Sequence, residues 1–152
     1  MKAWMVLGSL VLAGLPVGAP PMKMGLWEAS MTTSITRDGT ATQAQVMKVR
    51  ACYTAETYAA AFGSPMGGAA SRCTKWGDTW TSNSYTADYS CPSANGSVHV
   101  AMVWSDKESG SGSVHMVVNP SGHSVTIDTK IASHFVSADC GAVKPGAPQI
   151  MR

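Results

Sequence analysis

Tyr85-Thr86-Ala87-Asp88-Tyr89-Ser90-Cys91 alternates apolar and polar residues. The chain repeats that habit in Ser97–Trp104, Ser113–Val118 and Val125–Ile131. A period of two is that of a β-strand with one face buried and the other wet. Between the runs lie Pro92-Ser93-Ala94-Asn95-Gly96, the polar, glycine-rich Ser105–Gly112, and Asn119-Pro120-Ser121-Gly122. These are turn compositions, with Pro and Gly where turns use them. Setting Trp104 opposite Gly112 and Val118 opposite His123 collects one apolar face. It holds Tyr85, Ala87 and Tyr89; Val98, Val100, Met102 and Trp104; Val114, Met116 and Val118; and Val125, Ile127 and Ile131. A slip of one residue would turn a whole strand's apolar set into water, so the pattern fixes which face is the core.

Upstream, Arg72–Trp80 reads as a further strand and Thr81-Ser82-Asn83 as its turn. With a three-residue turn, Trp80 faces Ser84 and Cys73 faces Cys91. Directly opposite residues have the Cβ separation a disulfide needs. A two-residue turn would miss by one position and require a bulge. Four cysteines allow three pairings; this register selects Cys73–Cys91 and leaves Cys52–Cys140. Zinc ligation would need close CxxC or HxxxH pairs, which the chain lacks.

Nearer the start, Trp27, Ala29, Met31, Thr33 and Ile35 share one face of a strand, and Arg37-Asp38-Gly39-Thr40 makes its turn. A second strand spans Gln43 to Cys52, with Met47 and Val49 on one face and Val46 and Cys52 on the other. Thr54 suits the N-cap of a short helix over Ala55–Phe62, and Glu56 suits its positive end. Met66–Ser71 is a connection of small residues. About seven strands result, in sequential contact. The expected fold is all-β: an antiparallel up-and-down meander curled into a small barrel or sandwich, with one short helix (55–62) and two disulfides.

Composition sets the compartment. Lys2, the apolar run Ala3–Val17 and the small residues Val17-Gly18-Ala19 have the layout of a secretory signal peptide. Residues 1–19 are read as that signal, 22–140 as the β domain, and 141–152 as a disordered tail. Cysteine pairs in a small exported domain imply an oxidising compartment, periplasmic or secreted. No cysteine lies near the signal's exit, so no lipid anchor is expected. Leu26 is the sole leucine after Pro21, so the core draws on Val, Met, Ala, Trp and Tyr. Basic residues are scattered singly among acids, with formal net charge +2. That is not the basic stripe nucleic acid requires, nor a polybasic membrane patch.

Gly25-Leu26-Trp27-Glu28 at the start, Cys52-Tyr53-Thr54 before the helix, Cys73, Cys91 ending a strand, and Asp139-Cys140 resemble an uncharacterised bacterial family. It is the domain-of-unknown-function family numbered 3617. Met24 stands where the family is expected to carry proline. The resemblance covers about Met24 to Cys140. It implies export and paired cysteines, and no activity or ligand.

For function, Trp76, Trp80, Tyr85, Tyr89 and Trp104 fall on neighbouring strands. They are candidates to line a site for a small apolar ligand, since small barrels hold such ligands inside. The same rings equally serve as the core of a leucine-poor protein. A cavity lined by these rings would mark a ligand site; a filled interior with an exposed apolar patch would mark a module binding an envelope protein. On the outer face, Asp88 lies opposite His99 with His115 diagonal to it, a candidate divalent-metal site. Met102 and Met116 point inward, where Met serves as a gap-filler. The reading leans away from catalysis. There is no GxSxG elbow, close carboxylate pair or GxGxxG loop, and the cysteines are accounted for by bridges. No cofactor is implied.

Overall fold

The computed structural model describes residues 19–63 and 73–151. The expected signal lies outside the described residues except for Ala19, and so does the Met66–Ser71 connection. Among the described residues, nine strands build one antiparallel sheet. They are β1 (Gly25–Arg37), β2 (Thr40–Ala41), β3 (Gln45–Tyr53), β4 (Thr74–Trp80), β5 (Ser84–Cys91), β6 (Gly96–Asp106), β7 (Ser109–Val118), β8 (Val125–Ser137) and β9 (Gln149–Met151). Helix α1 is Tyr58–Gly63, beginning three residues later than the sequence suggests. The residues before it form a turn instead, in which the Thr54 carbonyl accepts from the Thr57 and Tyr58 N–H groups.

Across the sheet the order is β4-β5-β6-β7-β8-β1-β3-β9, with β2 on β1. From β4 to β8 neighbours follow the chain, as an up-and-down meander requires. The contacts are not all sequential, however. β8 pairs with β1 from Arg37↔Val125 to Leu26↔Ser137. Taken in a circle, the order is that of an up-and-down barrel left unjoined between β9, on the outer edge of β3, and β4 among the described residues. β8 reaches this far because its alternation continues past Ile131 through Ser133 to Phe135, whose ring meets Trp27 edge-on at 6.0 Å.

The inward face is the one the alternation specifies. Tyr85, Ala87, Tyr89, Val98, Met102, Trp104, Met116 and Val118 are buried in a single cluster, with Val100, Val114, Val125, Ile127 and Ile131 packed against it. Pairing registers differ in detail, by steps of two that preserve this face. Trp104 lies opposite Gly110 and not Gly112. The Ser105–Gly112 segment is mostly strand, because two of its glycines are spaces for core side chains. A Cβ on Gly112 would stand 2.2 Å from the Met102 sulfur, and one on Gly110 3.0 Å from the Trp104 ring. Val118 lies opposite Val125 and not His123. His123 and Ser124 are held elsewhere, by the Asp38 carboxylate.

Both disulfides are as the register indicated: Cys73–Cys91 and Cys52–Cys140. The route to the first differs. Trp80 pairs with Tyr85, one residue beyond the expected partner, and a bulge between Lys75 and Gly77 restores the alignment. The second ties down the end of the chain. Leu26, Cys52 and Val143 form a small separate core with Cys140 against it. The tail expected to be disordered is therefore ordered through Met151. It turns at Lys144–Ala147, where Pro145 and Gly146 serve the turn, and β9 pairs Lys48–Arg50 of β3.

The Gly-Leu-Trp-Glu start has a structural task at each position. A Cβ on Gly25 would lie 2.3 Å from the Ser137 carbonyl oxygen, so only glycine lets β1 pass β8 there. Leu26 fills the small core. Trp27 is buried and donates its indole N–H to the Lys23 carbonyl at 2.9 Å. Glu28 accepts from Arg50 Nε at 2.7 Å.

Candidate functional site

The aromatic residues converge at the open side of the sheet, where β3 and β4 each contribute a ring. Tyr85 and Tyr89 lie four apart on β5 and so face the same way. Trp80 on β4 sits with its ring centroid 4.3 Å from Tyr85 and is stacked at 6.5 Å, nearly parallel, on Trp104 of β6. Trp76 does not join them. It occupies the bulge of β4, which breaks the alternation and turns its side chain outward, 71% exposed. Four of the five expected rings therefore form the group.

Helix α1 fills the middle of that group, which the sequence pattern did not disclose. Phe62 meets Trp80 at 6.0 Å and Trp104 at 5.6 Å, both edge-on, and stacks on Tyr53 of β3 at 5.5 Å. Tyr58 meets Trp80 edge-on at 5.8 Å. Offset and edge-on contacts are the favourable ones for aromatic rings, because ring edges are positive and faces negative. The helix is fastened by polar contacts too. The hydroxyls of Tyr85 and Tyr89 donate to the Phe62 carbonyl oxygen at 2.7 and 3.2 Å. That carbonyl is one of those a helix end leaves without an intrahelical partner. Two buried hydroxyls and an orphan acceptor thus satisfy one another. At the other end, the Thr54 and Thr57 hydroxyls are 3.0 Å apart, and a bond from Thr54 helps hold the Glu56 carboxyl below its ordinary range. One available signal was the Ala55–Phe62 stretch itself, whose Tyr58 and Phe62 lie four apart on one helix face.

Burial pushes the Tyr85 phenol far above its ordinary value, reinforced by its neighbour Tyr89, and burial raises Tyr53 as well. The Tyr85 hydroxyl stays protonated and serves as a donor. The interior is thus packed, and open volume lies beside the helix. A cleft of about 530 Å³ is walled by Pro20, Pro21, Tyr58, Trp80, Thr81 and Ser82, with Lys107 and Ala19 also lining it. Of the expected ligand residues only Trp80 reaches this cleft. Tyr85, Tyr89 and Trp104 stand behind it as support. A smaller groove of about 250 Å³ crosses β8, β1, β3 and β9 near Glu28 and His134.

On the outer face, Asp88 and His99 pair as expected, with Nδ1 2.7 Å from the carboxylate. His115 is not diagonal to His99 but directly opposite it. Its own Nδ1 lies 2.6 Å from Asp128 of β8. Asp88, His99 and His115 therefore do not form the expected three-ligand set. Among the described residues, no three His, Cys, Asp or Glu side chains converge to hold a metal ion.

These features define a class: a disulfide-bonded, antiparallel β domain whose open barrel is stoppered by a short aromatic helix. Within that class, the chain belongs to the family described as "Protein of unknown function (DUF3617)", whose model matches residues 22–140. No curated protein and no solved structure matches it. Its two disulfides are the pattern of a protein folded in an oxidising compartment. Among the described residues, no helix is long and apolar enough to cross a membrane.

Proposed function

We propose that this protein is an exported, periplasmic binding module that takes one small apolar ligand in the cleft beside α1. The observation that carries the reading is the cleft itself. It has the volume of a small-molecule site and aromatic walls in Tyr58 and Trp80. Those walls are held rigid from behind by Phe62, Tyr85 and Trp104. A preformed wall does not spend binding energy on ordering. Lys107 on the lining favours a ligand with an acidic end, its apolar part lying against the two rings. Ala19 would leave with the signal peptide, whereas Pro20 and Pro21 would remain. Titration with N-phenyl-1-naphthylamine, a neutral apolar fluorophore, tests the reading. Saturable one-to-one enhancement is expected, and it should weaken at least tenfold in Tyr58→Ala. Enhancement that never saturates, or that Tyr58→Ala leaves unchanged, overturns it.

A second reading rests on Trp76. An exposed Trp on an edge strand is a surface feature suited to docking an envelope protein. The bulge and the Lys75–Asp78 ion pair beside it guard the strand edge against adding another strand. Docking would therefore use the side chain. A photo-crosslinker at position 76 should yield one discrete adduct in cells; its absence removes this reading.

A further inference from the structure

Asp88, His99, His115 and Asp128 form one row across four strands. Each is the direct register partner of the next, β5 to β6, β6 to β7 and β7 to β8. All four sit on the solvent side, between inward-facing neighbours such as Val98 and Val100, or Val114 and Met116. The two imidazoles stand side by side at the centre, and a carboxylate terminates the row at each end. This order has a chemical consequence. An ionised carboxylate only accepts hydrogen bonds, so the Nδ1 that each histidine presents to its aspartate carries the proton. The neutral ring then keeps its lone pair on Nε2. Both rings are thereby set in the same tautomer, with their ligating nitrogens pointing away from the aspartates. Directly opposite residues place Cβ atoms about 5 Å apart, a separation two imidazoles can span to share one ion.

We propose that His99 and His115 bind one divalent transition metal ion through their Nε2 atoms. Asp88 and Asp128 are positioning residues, which fix the tautomer and the orientation of the rings. A carboxylate behind a ligating imidazole is the arrangement metal sites use for this purpose. Two protein nitrogens leave the remaining positions to water, which suits the tetragonal preference of Cu2+ and Ni2+. Imidazole affinity should follow the general order, with Cu2+ tightest. Neither aspartate is a ligand, so the protein contributes two donors and not three. The site shares no residue with the apolar cleft.

The test is a calorimetric titration of the mature protein with Cu2+, Ni2+ and Zn2+. One ion per chain is expected. His99→Ala and His115→Ala should each weaken binding at least tenfold, and the double variant should abolish it. Asp88→Asn with Asp128→Asn should weaken it about 10–100-fold with both imidazoles intact. His123→Ala, whose ring pairs with Asp38 on another turn, should change nothing. Nitrogen NMR of the wild-type protein supplies a second measurement: Zn2+ should shift the Nε2 signals of His99 and His115. Unchanged affinity in His99→Ala, or Zn2+ shifts confined to His123 or His134, overturns the proposal.

Discussion

The Tyr85 hydroxyl donates to the Phe62 carbonyl oxygen at 2.7 Å, joining the start of β5 to the last turn of α1 across the opening of the sheet. Tyr89 supplies a second, longer bond to the same oxygen, at 3.2 Å. Tyr85→Phe should therefore lower unfolding free energy by about 1–2 kcal/mol in urea. The pair Tyr85→Phe with Tyr89→Phe should cost more than the two singles summed, because only then does the carbonyl lose both donors. Strict additivity would show that the two hydroxyls do not share one task.

Gly25 is expected to be intolerant of any side chain. Its φ of +133° is one that side-chain-bearing residues rarely adopt, and a Cβ would press on the Ser137 and Ala138 backbone. Gly25→Ala should cost at least about 1–3 kcal/mol from the backbone conformation alone. Gly39→Ala meets no atom within 4 Å, although its φ is also positive. It should cost less. Equal midpoints for the two variants in urea would contradict this account of the Gly-Leu-Trp-Glu start.

The disulfides should differ in weight. Cys52–Cys140 spans 88 residues and Cys73–Cys91 spans 18. Chain entropy alone assigns about 4–5 kcal/mol to the longer loop and about 3 kcal/mol to the shorter. The longer bridge also holds Val143 and β9 in place. Replacing Cys52 and Cys140 by Ser should thus lower the melting temperature more than replacing Cys73 and Cys91. It should also expose amides of 141–151 to hydrogen exchange. A larger loss from the Cys73–Cys91 replacement would contradict the account.

Asp38 carries a pH signature. A bond from His123 and then the Ser124 N–H hold its carboxyl below the usual carboxylate range. A group whose folded pKa is lowered contributes its stabilisation fully above the unfolded value, near pH 4. It loses that contribution as pH falls through the folded value. Asp38→Asn should therefore flatten the fall in melting temperature below about pH 4 and leave the profile above pH 5 parallel to wild type. An unchanged acid limb would remove Asp38 from the account.

Much of the sheet was legible because alternation fixes a face whatever the exact register. Trp104 pairs two residues away from its expected partner and still points inward. Legibility failed where local composition competed with tertiary demand. Gly110 and Gly112 read as loop, yet they are flat places on a strand that admit Trp104 and Met102. Pro145 and Gly146 read as disorder, yet Val143 beside them is buried against Leu26. Trp76 read as one of the clustered rings lining a ligand site, and a one-residue bulge turned it outward. The partnership of β8 with β1 joins the two ends of the domain, and no local pattern carries such pairing. At the site, the β5 tyrosines were visible. The helix that fills the space before them was seen only as a helix, since its docking depends on contacts distant in sequence.

The central claim is that the cleft walled by Tyr58 and Trp80 holds a small apolar molecule. Native mass spectrometry of the protein, purified under gentle conditions from its own host, tests it most directly. The account predicts one retained small molecule per chain, extractable into organic solvent and absent from Tyr58→Ala prepared in the same way. A bare polypeptide mass from the wild-type protein, together with no saturable uptake of N-phenyl-1-naphthylamine, would contradict it.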